Sequence, residues 1–223
     1  MSDYFLRLYK DSDYDVAREL FASGMKEHIG KAFQHAIRQP HIWLPALASL
    51  VLPALNLVSV TTFILAFTAA LVAVWFGARY MYTSYIDHSL SHDMLDIGQY
   101  YMQRDGYCFW VVESTGGEVI GTVAAIPSSE PGGEKHLELK RLSVAKQHRG
   151  KGIAKVLCKT LMDFAQRSGC EAVVLMTTLP QIGAWKLYEK LGFKQTHYCY
   201  PPGLLGRVLD FRVLVYKYNV PAV

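Results

Sequence analysis

The stretch Leu142-Ser143-Val144-Ala145-Lys146-Gln147-His148-Arg149-Gly150-Lys151-Gly152-Ile153-Ala154 carries the residue types needed to hold an anion. A strand is expected to end at Val144, a polar turn with two glycines follows, and an apolar helix is expected from Ile153. Glycines let a backbone approach a ligand closely, and the first N–H groups of a helix point at it along the positive end of the helix dipole. The pattern suits a phosphate or pyrophosphate, and Lys146, Arg149, Lys151 and Lys155 add positive charge around it. The spacing is neither G-x-x-x-x-G-K-[ST] nor G-x-G-x-x-G with a following acidic residue. A P-loop and a dinucleotide fingerprint are therefore excluded.

Two further groups could move protons near that turn. Glu138 lies on the segment leading into it and is a candidate base acting through a water. By a two-residue period it shares a face with Lys140 and Leu142, so it also reads as an exposed strand carboxylate. His136, at the same edge, is an alternative base or a solvated side chain. His88, His92 and Asp96 recur every four residues and would share a helix face. Without a third strong ligand they read as a polar surface, and no metal is expected.

The elements that must position these groups follow from periodicity. Tyr4 to Tyr9 alternates as a strand, and Val16, Leu20 and Phe21 begin a helical stripe. Met81 to Met102 is roughly helical in period. Phe109–Val112 and Val119–Ala124 are β-rich runs joined across Gly116-Gly117, a hairpin pattern. Ser128–Gly133 is a loop, Leu137–Val144 a strand, Ile153–Arg167 a helix, Ala172–Thr177 a buried strand and Gly183–Leu191 a helix. Two more strands are expected near Phe193–Tyr200 and Leu209–Tyr218. Strands and helices in this order imply a mixed α/β domain with a mixed sheet, not an alternating parallel one.

The turn resembles the Gln/Arg-x-x-Gly-x-Gly/Ala pattern of the GNAT acetyltransferase superfamily, matched by Gln147, Gly150 and Gly152. Ala184-Trp185-Lys186-Leu187-Tyr188-Glu189-Lys190-Leu191-Gly192-Phe193 resembles the same family's late helix and the turn after it. Both motifs stand on the expected elements in the family's order, and the resemblance covers the chain apart from one apolar insert. Carrying that insert, the chain is similar to the camello-like (N-acetyltransferase 8-like) membrane-bound subfamily. The resemblance implies a GNAT fold and the transfer of acetyl from acetyl-CoA to an amine. It also implies that backbone groups near Leu142, Ser143 and Val144 hold the pantetheine arm and that Arg149–Ala154, Lys151 and Ile153 included, cradle the pyrophosphate. Tyr188 would be the general acid for the thiolate; the alternative is a core tyrosine. Gln181 departs from the pattern, which often has Asn there, and so puts a water-ordering role for that side chain in doubt.

The 223-residue chain has 23 basic and 19 acidic residues and a formal charge of +4, too mild a balance to suggest nucleic-acid binding. Yet residues 39–78 contain no Asp, Glu, Lys or Arg at all. That concentration of apolar residues excludes a disordered chain, a disulfide mini-protein and a wholly soluble monomer. The four cysteines show no C-x-x-C and read as reduced thiols. Met1–Lys10 lacks the features of a cleavable signal peptide.

A helix of 40 residues would run about 60 Å, twice the hydrocarbon thickness, so two arms with a turn near Pro53–Ser59 are expected. If Tyr4–Tyr9 belongs to the sheet, both flanks of the insert lie on one side and the crossings are even in number. Lys26, Lys31, Arg38 and Arg79 suit two cytosolic flanks. The chain therefore divides into residues 1–38 (first strand and helix), 39–78 (a membrane-inserted helical hairpin between the first two helices) and 79–223 (the remaining acetyltransferase domain). The expected partners are acetyl-CoA, a small-molecule amine or protein lysine, and the lipid bilayer, with a cytosol-facing domain on the endoplasmic reticulum. The subfamily resemblance suggests cysteine S-conjugates or histone and other protein lysines as acceptors. The competing function is a non-catalytic membrane adaptor that keeps the fold and coenzyme A binding.

Overall fold

The amino-terminal strand decides the architecture. In the computed structural model, which describes residues 4–129 and 132–221, β1 (Tyr4–Leu8) pairs antiparallel with β2 (Cys108–Ser114). Their register runs from Tyr4 opposite Ser114 to Leu8 opposite Trp110. The strand before the apolar insert is thus an edge of the sheet built after it. Both ends of the insert return to the same body. Glu130 and Pro131 of the expected 128–133 loop, and Met1–Asp3, lie outside the described residues.

Five more strands complete a seven-stranded sheet: β3 (Val119–Pro127), β4 (His136–Val144), β5 (Ala172–Thr178), β6 (Lys194–Cys199) and β7 (Val213–Asn219). The order is β1-β2-β3-β4-β5-β7-β6, and only the central β4–β5 pair is parallel. Between those two strands lies α6 (Ile153–Arg167), the crossover that a parallel pair requires. One face of the sheet packs Ile153, Leu157 and Leu161 of α6 and Tyr188 of α7 (Ile182–Lys190) against Leu137, Leu139 and Leu175. The other face is covered by α1 (Tyr14–Lys26), with Ala17 and Phe21 buried beside Phe109, Val111 and Tyr101.

The insert is built as α3 (Pro40–Ala48), the single turn α4 (Val51–Ala54) and the long α5 (Val60–Ser91). The chain reverses at Leu55–Ser59, where Asn56 adopts φ 55° and the Ser59 hydroxyl caps α5 by accepting from Thr62 N–H at 3.1 Å. Pro45 and Pro53 keep the first arm short and broken. The second arm does not stop near residue 78 but continues as one helix of 32 residues to Ser91. Its lower half is held by α2 (Ile29–Ile37), whose Ala32 and Ala36 sit one turn apart against Ala78 and Tyr82. That helix was absent from the sequence reading because its buried stripe is made of alanines. Also unforeseen were α8 (Leu204–Val208) and a π-turn at Gly98–Met102.

One irregularity of β4 bears on the site. The register against β3 slips by one residue between Thr122–Ser143 and Ala124–Lys140, and Arg141 takes φ 54°. This bulge inverts the alternation beyond it. Leu137 and Leu139 face α6, and so do Leu142 and Val144. Glu138 and Lys140 share the opposite face, with Lys140 Nζ 3.5 Å from Glu138 Oε1. The expected grouping of Leu142 with Glu138 and Lys140 is therefore corrected: an inserted residue in the left-handed region turns Leu142 over.

Candidate active site

The turn between β4 and α6 presents bare amides. Gly150 and Gly152 adopt φ 80° and 82°, conformations that an L side chain occupies at a cost of about 1–2 kcal/mol. The first hydrogen bond of α6 runs from Val156 N–H to Gly152 O at 3.1 Å. Among the described residues, nothing accepts from the Gly150–Lys155 amides before it, as expected for the first turn of a helix. Gly150, Lys151 and Gly152 are exposed, and a Cβ built on either glycine would meet open space. The glycines are needed for their backbone angles, not for packing. The residues thus fit a diphosphate.

The side chains around the turn hold it in place. Arg149 donates from Nε to Val144 O at 2.9 Å and from both terminal nitrogens to Glu27 at 2.7 and 3.1 Å. That bidentate pair pins the end of α1 to the loop and holds the Glu27 carboxyl below its ordinary range. Lys146 and Gln147 stand exposed beside a groove of about 500 Å³ that Glu19, Ser23 and Glu27 of α1 line from the other side.

Next to this loop the sheet opens. The parallel ladder of β4 and β5 covers only His136–Leu139 against Ala172–Leu175. Beyond Leu139, β4 pairs with β3 alone and Met176–Thr178 of β5 pair with β7 alone. The edge of β4 from Lys140 to Val144, which carries Leu142, Ser143 and Val144, has no strand on the β5 side. A gap so placed leads from the amide turn into the centre of the sheet.

Tyr188 lies on the α6 side of the sheet, 5% exposed, packed with Cys158, Phe193 and Tyr216. Its hydroxyl makes no hydrogen bond with any described residue. Burial and the neighbouring Cys158 thiol push its pKa well above the ordinary tyrosine value, so it remains a proton donor at physiological pH. Glu138 lies on the opposite face, buried, beside Lys140 and a pocket of about 20 Å³, room for one water, lined also by Val174, Met176 and Val215. His136 is placed at the closed end of the β4–β5 ladder, its Nε2 3.2 Å from Lys217 Nζ, away from the opening. Gln181 Oε1 accepts from Thr177 Oγ1 at 2.8 Å and from Thr178 N–H at 2.9 Å, which ties the end of β5 to α7. His88 and His92 stack at 5.6 Å on the surface of the molecule, and Asp96 accepts from Gln99 N–H at the start of the π-turn.

One network of the site had no counterpart in the sequence reading. The Arg141 side chain, thrown out by the bulge, is received by Asp93 just beyond α5, with Nε donating at 2.7 Å and a terminal nitrogen donating to the other carboxylate oxygen. Tyr101 donates to the same carboxylate, and Arg141 also donates to Tyr85 at 2.9 Å. The two ionised side chains are only 4% and 7% exposed, so this is a buried pair that fixes the bulge to the root of the long helix. Nothing in the sequence marked this arginine out, since β4 also carries Glu138 and Lys140.

The substitution Gly150→Leu tests the amide turn directly. It forces a left-handed angle on a branched residue and fills the space in front of the amides. The dissociation constant for acetyl-CoA, measured by calorimetry, should rise at least about tenfold, the equivalent of 1.4 kcal/mol. An unchanged constant would remove the loop from coenzyme binding.

The comparisons with known proteins agree with this geometry. Residues 75–193 match the family model described as Acetyltransferase (GNAT) family. The chain is 38% identical to N-acetyltransferase 8 of Rattus norvegicus over 228 residues, covering 100% of both chains. It is 36% identical over 220 residues to a protein of Xenopus tropicalis named probable N-acetyltransferase camello, covering 99% of each. A Salmonella typhimurium structure, solved with its cofactor acetyl-CoA, superposes with a TM-score of 0.56 at 18% identity, over 100% of this chain and 96% of that one. The chain belongs to the GNAT acetyltransferase family, in its camello-like N-acetyltransferase 8 group, and is an acetyl-CoA-dependent N-acetyltransferase.

Proposed function

We propose that this N-acetyltransferase is anchored in a membrane by its apolar hairpin and acetylates a primary amine beside the bilayer. The acceptor would be a cysteine S-conjugate or a protein lysine, histone lysines included. The observation that carries the reading is the conjunction of bare amides at Gly150–Lys155 with the parting of β4 and β5 after Leu139. Acetyl-CoA supplies the acetyl group on a thioester. The Gly150–Ala154 amides and Lys151 bind the diphosphate, with Arg149 and Gln147 shaping the loop. The unpaired edge at Leu142–Val144 aligns the pantetheine arm and orients the carbonyl, while α6 excludes water from behind. Glu138 draws a proton from the acceptor through the water-sized pocket at its carboxylate, and Tyr188 delivers one to the departing sulfur.

Anchoring is supported by the surface of the hairpin. The apolar window of α5 is wholly unburied, and Leu47, Leu55, Leu57, Leu65 and Phe76 are all more than half exposed. Its first 19 residues, to Ala78, would span about 28 Å, close to a hydrocarbon core. The location proposed is the endoplasmic reticulum, with the sheet in the cytosol where acetyl-CoA is made available. Because β1 and β7 belong to one sheet, tags at the two termini in sealed microsomes should be digested together by added protease. Protection of one tag alone would overturn the hairpin.

Acceptor chemistry is tested with the full chain in nanodiscs. Acetyl-CoA and a panel of S-substituted cysteines, lysine peptides and simple amines are supplied, and free thiol and product mass are read. Release with one acceptor class defines it. No release with any amine, while acetyl-CoA still binds, would overturn these acceptors.

A further inference from the structure

Helix α8 stands outside the hairpin yet carries apolar side chains that the protein does not cover. Leu204 is 75% exposed, more than any other large apolar side chain among the described residues, those of the hairpin included. Val208, four residues on, shares its face and is exposed as well. An exposed leucine by itself needs no explanation. The place of this helix in the fold supplies one.

The loop between β6 and β7 is seated on the root of the hairpin. A Cβ added to Gly77 of α5 would stand 3.2 Å from Leu205 Cδ1 and 3.3 Å from Leu209 Cδ1, so a glycine there lets α8 approach the long helix closely. His41 of α3 donates from Nε2 to Val208 O at 2.8 Å, and both arms of the hairpin thus touch the same short helix. Leu209 and Phe211 continue inward against Ala36, Ala78 and Tyr82. The Asp210 carboxylate fixes the loop, accepting from Tyr200 and Arg212 at 2.8 Å each and bonded to His35 Nε2 of α2 at 3.0 Å. The height of α8 follows from the helix rise. If Val60–Ala78 crosses the hydrocarbon core, Gly77 lies one residue from its edge on the side of the sheet, and α8 lies at that edge with it. Arg38 before the first arm, Arg79 and Tyr80 after the second, and Arg207 on α8 itself are all exposed. These are the residue types that gather where headgroups meet water.

We propose that α8 is a second membrane contact, its Leu204 and Val208 face set into the boundary between lipid headgroups and acyl chains beside the hairpin. This rests on the anchoring proposed above and goes beyond it, because the contact comes from a loop of the catalytic sheet. The occupant is a lipid surface: the apolar face adjoins a hairpin whose own apolar window is unburied, and the arginines around it complement anionic headgroups. Five residues alone would hold a bilayer poorly. Joined to a hairpin that already confines them to the interface, they add their contact without a second search for the membrane. A hairpin by itself can tilt in the bilayer and carry the domain with it. The contact at α8 opposes that tilt and fixes which end of the sheet meets the lipid. Leu179 N–H donates to Arg212 O at 3.0 Å, and Thr178 lies opposite Val213. The end of β5 beyond its parting from β4 is therefore held toward the bilayer together with α8.

The test uses the full chain in nanodiscs of phosphatidylcholine with phosphatidylserine as a minor component. Cys170 and Cys199, the two thiols that are not buried, are replaced by Ser. A nitroxide is then attached to Leu204→Cys and, in a separate preparation, to Val208→Cys. Leu65→Cys in the exposed apolar window of α5 and Lys194→Cys at the far end of β6 serve as lipid and water references. Spin relaxation by oxygen, which concentrates in lipid, is compared with relaxation by a water-soluble nickel chelate. Oxygen should dominate at both α8 positions, with a ratio to nickel severalfold above that at Lys194 and below that at Leu65. Both substitutions are at exposed side chains, so the dissociation constant for acetyl-CoA should stay at the wild-type value. Nickel dominating at either α8 position, with Leu65 in lipid, would place α8 in water and overturn the inference while the anchoring stands. Little access to either reagent would mean that protein, a second copy included, covers α8, and would overturn it as well. If Leu65 itself is open to nickel, the anchoring reading fails and this inference with it.

Discussion

Replacing Tyr188 by Phe is expected to lower turnover by about 100-fold, the lower range for loss of a positioned acid, with the dissociation constant for acetyl-CoA changed less than twofold. The substitution removes one oxygen and keeps the ring that packs against Phe193 and Tyr216 at 5.8 and 6.4 Å. Since the hydroxyl has no partner among the described residues, no other group loses a hydrogen bond, and the fold should be intact. Because burial raises the pKa of Tyr188, the hydroxyl is protonated throughout the working range. The deficit should then be the same from pH 6 to 9 and add no basic limb. Steady-state kinetics at several pH values, with calorimetry for the coenzyme, check both parts. Unchanged turnover would take the acid role away from Tyr188 and leave it a core ring.

The second large effect concerns stability. Asp93→Asn leaves the Arg141 guanidinium buried without a counter-charge, and breaking a buried pair in this way costs about 3–5 kcal/mol. That is a large share of the 5–15 kcal/mol that holds an ordinary domain together, so the melting temperature should drop steeply and expression with it. The double variant Asp93→Asn with Arg141→Met removes both charges and should recover part of the loss. A double variant no better than the single one would show that the pair is not the cause. The sign with pH follows from the same contacts. Burial alone would push the Asp93 carboxyl up, but the hydrogen bonds and charge of Arg141, helped by Tyr101, hold it below the ordinary 3.8. Its stabilising contribution is present above that value and is lost as the pH falls through the lowered pKa.

These two residues show different kinds of legibility. Tyr188 could be picked out because its motif, from Ala184 to Phe193, is continuous in sequence and lies on one helix and its terminal turn. The amide turn at Gly150–Ala154 was legible for a stronger reason. Free N–H groups at a helix start follow from the chain's own geometry, and glycine is the residue that tolerates the left-handed angles before it. Arg141 and Asp93 are 48 positions apart, and nothing in the period of either segment marks them as partners.

The sequence by itself determined the element types along most of the chain, the charge-free insert and the glycine turn before α6. All of these depend on the order of side chains over ten to forty neighbouring residues, where periodicity, capping and hydrophobic transfer act locally. Only the tertiary structure decided that β1 closes the sheet across the insert, and that Arg141 bulges and turns Leu142 over. It alone decided that β4 and β5 separate after Leu139. Register, strand parting and side-chain pairing are set by the balance of contacts between distant segments. A single extra residue in a strand reverses every side chain beyond it without leaving a mark in the local pattern.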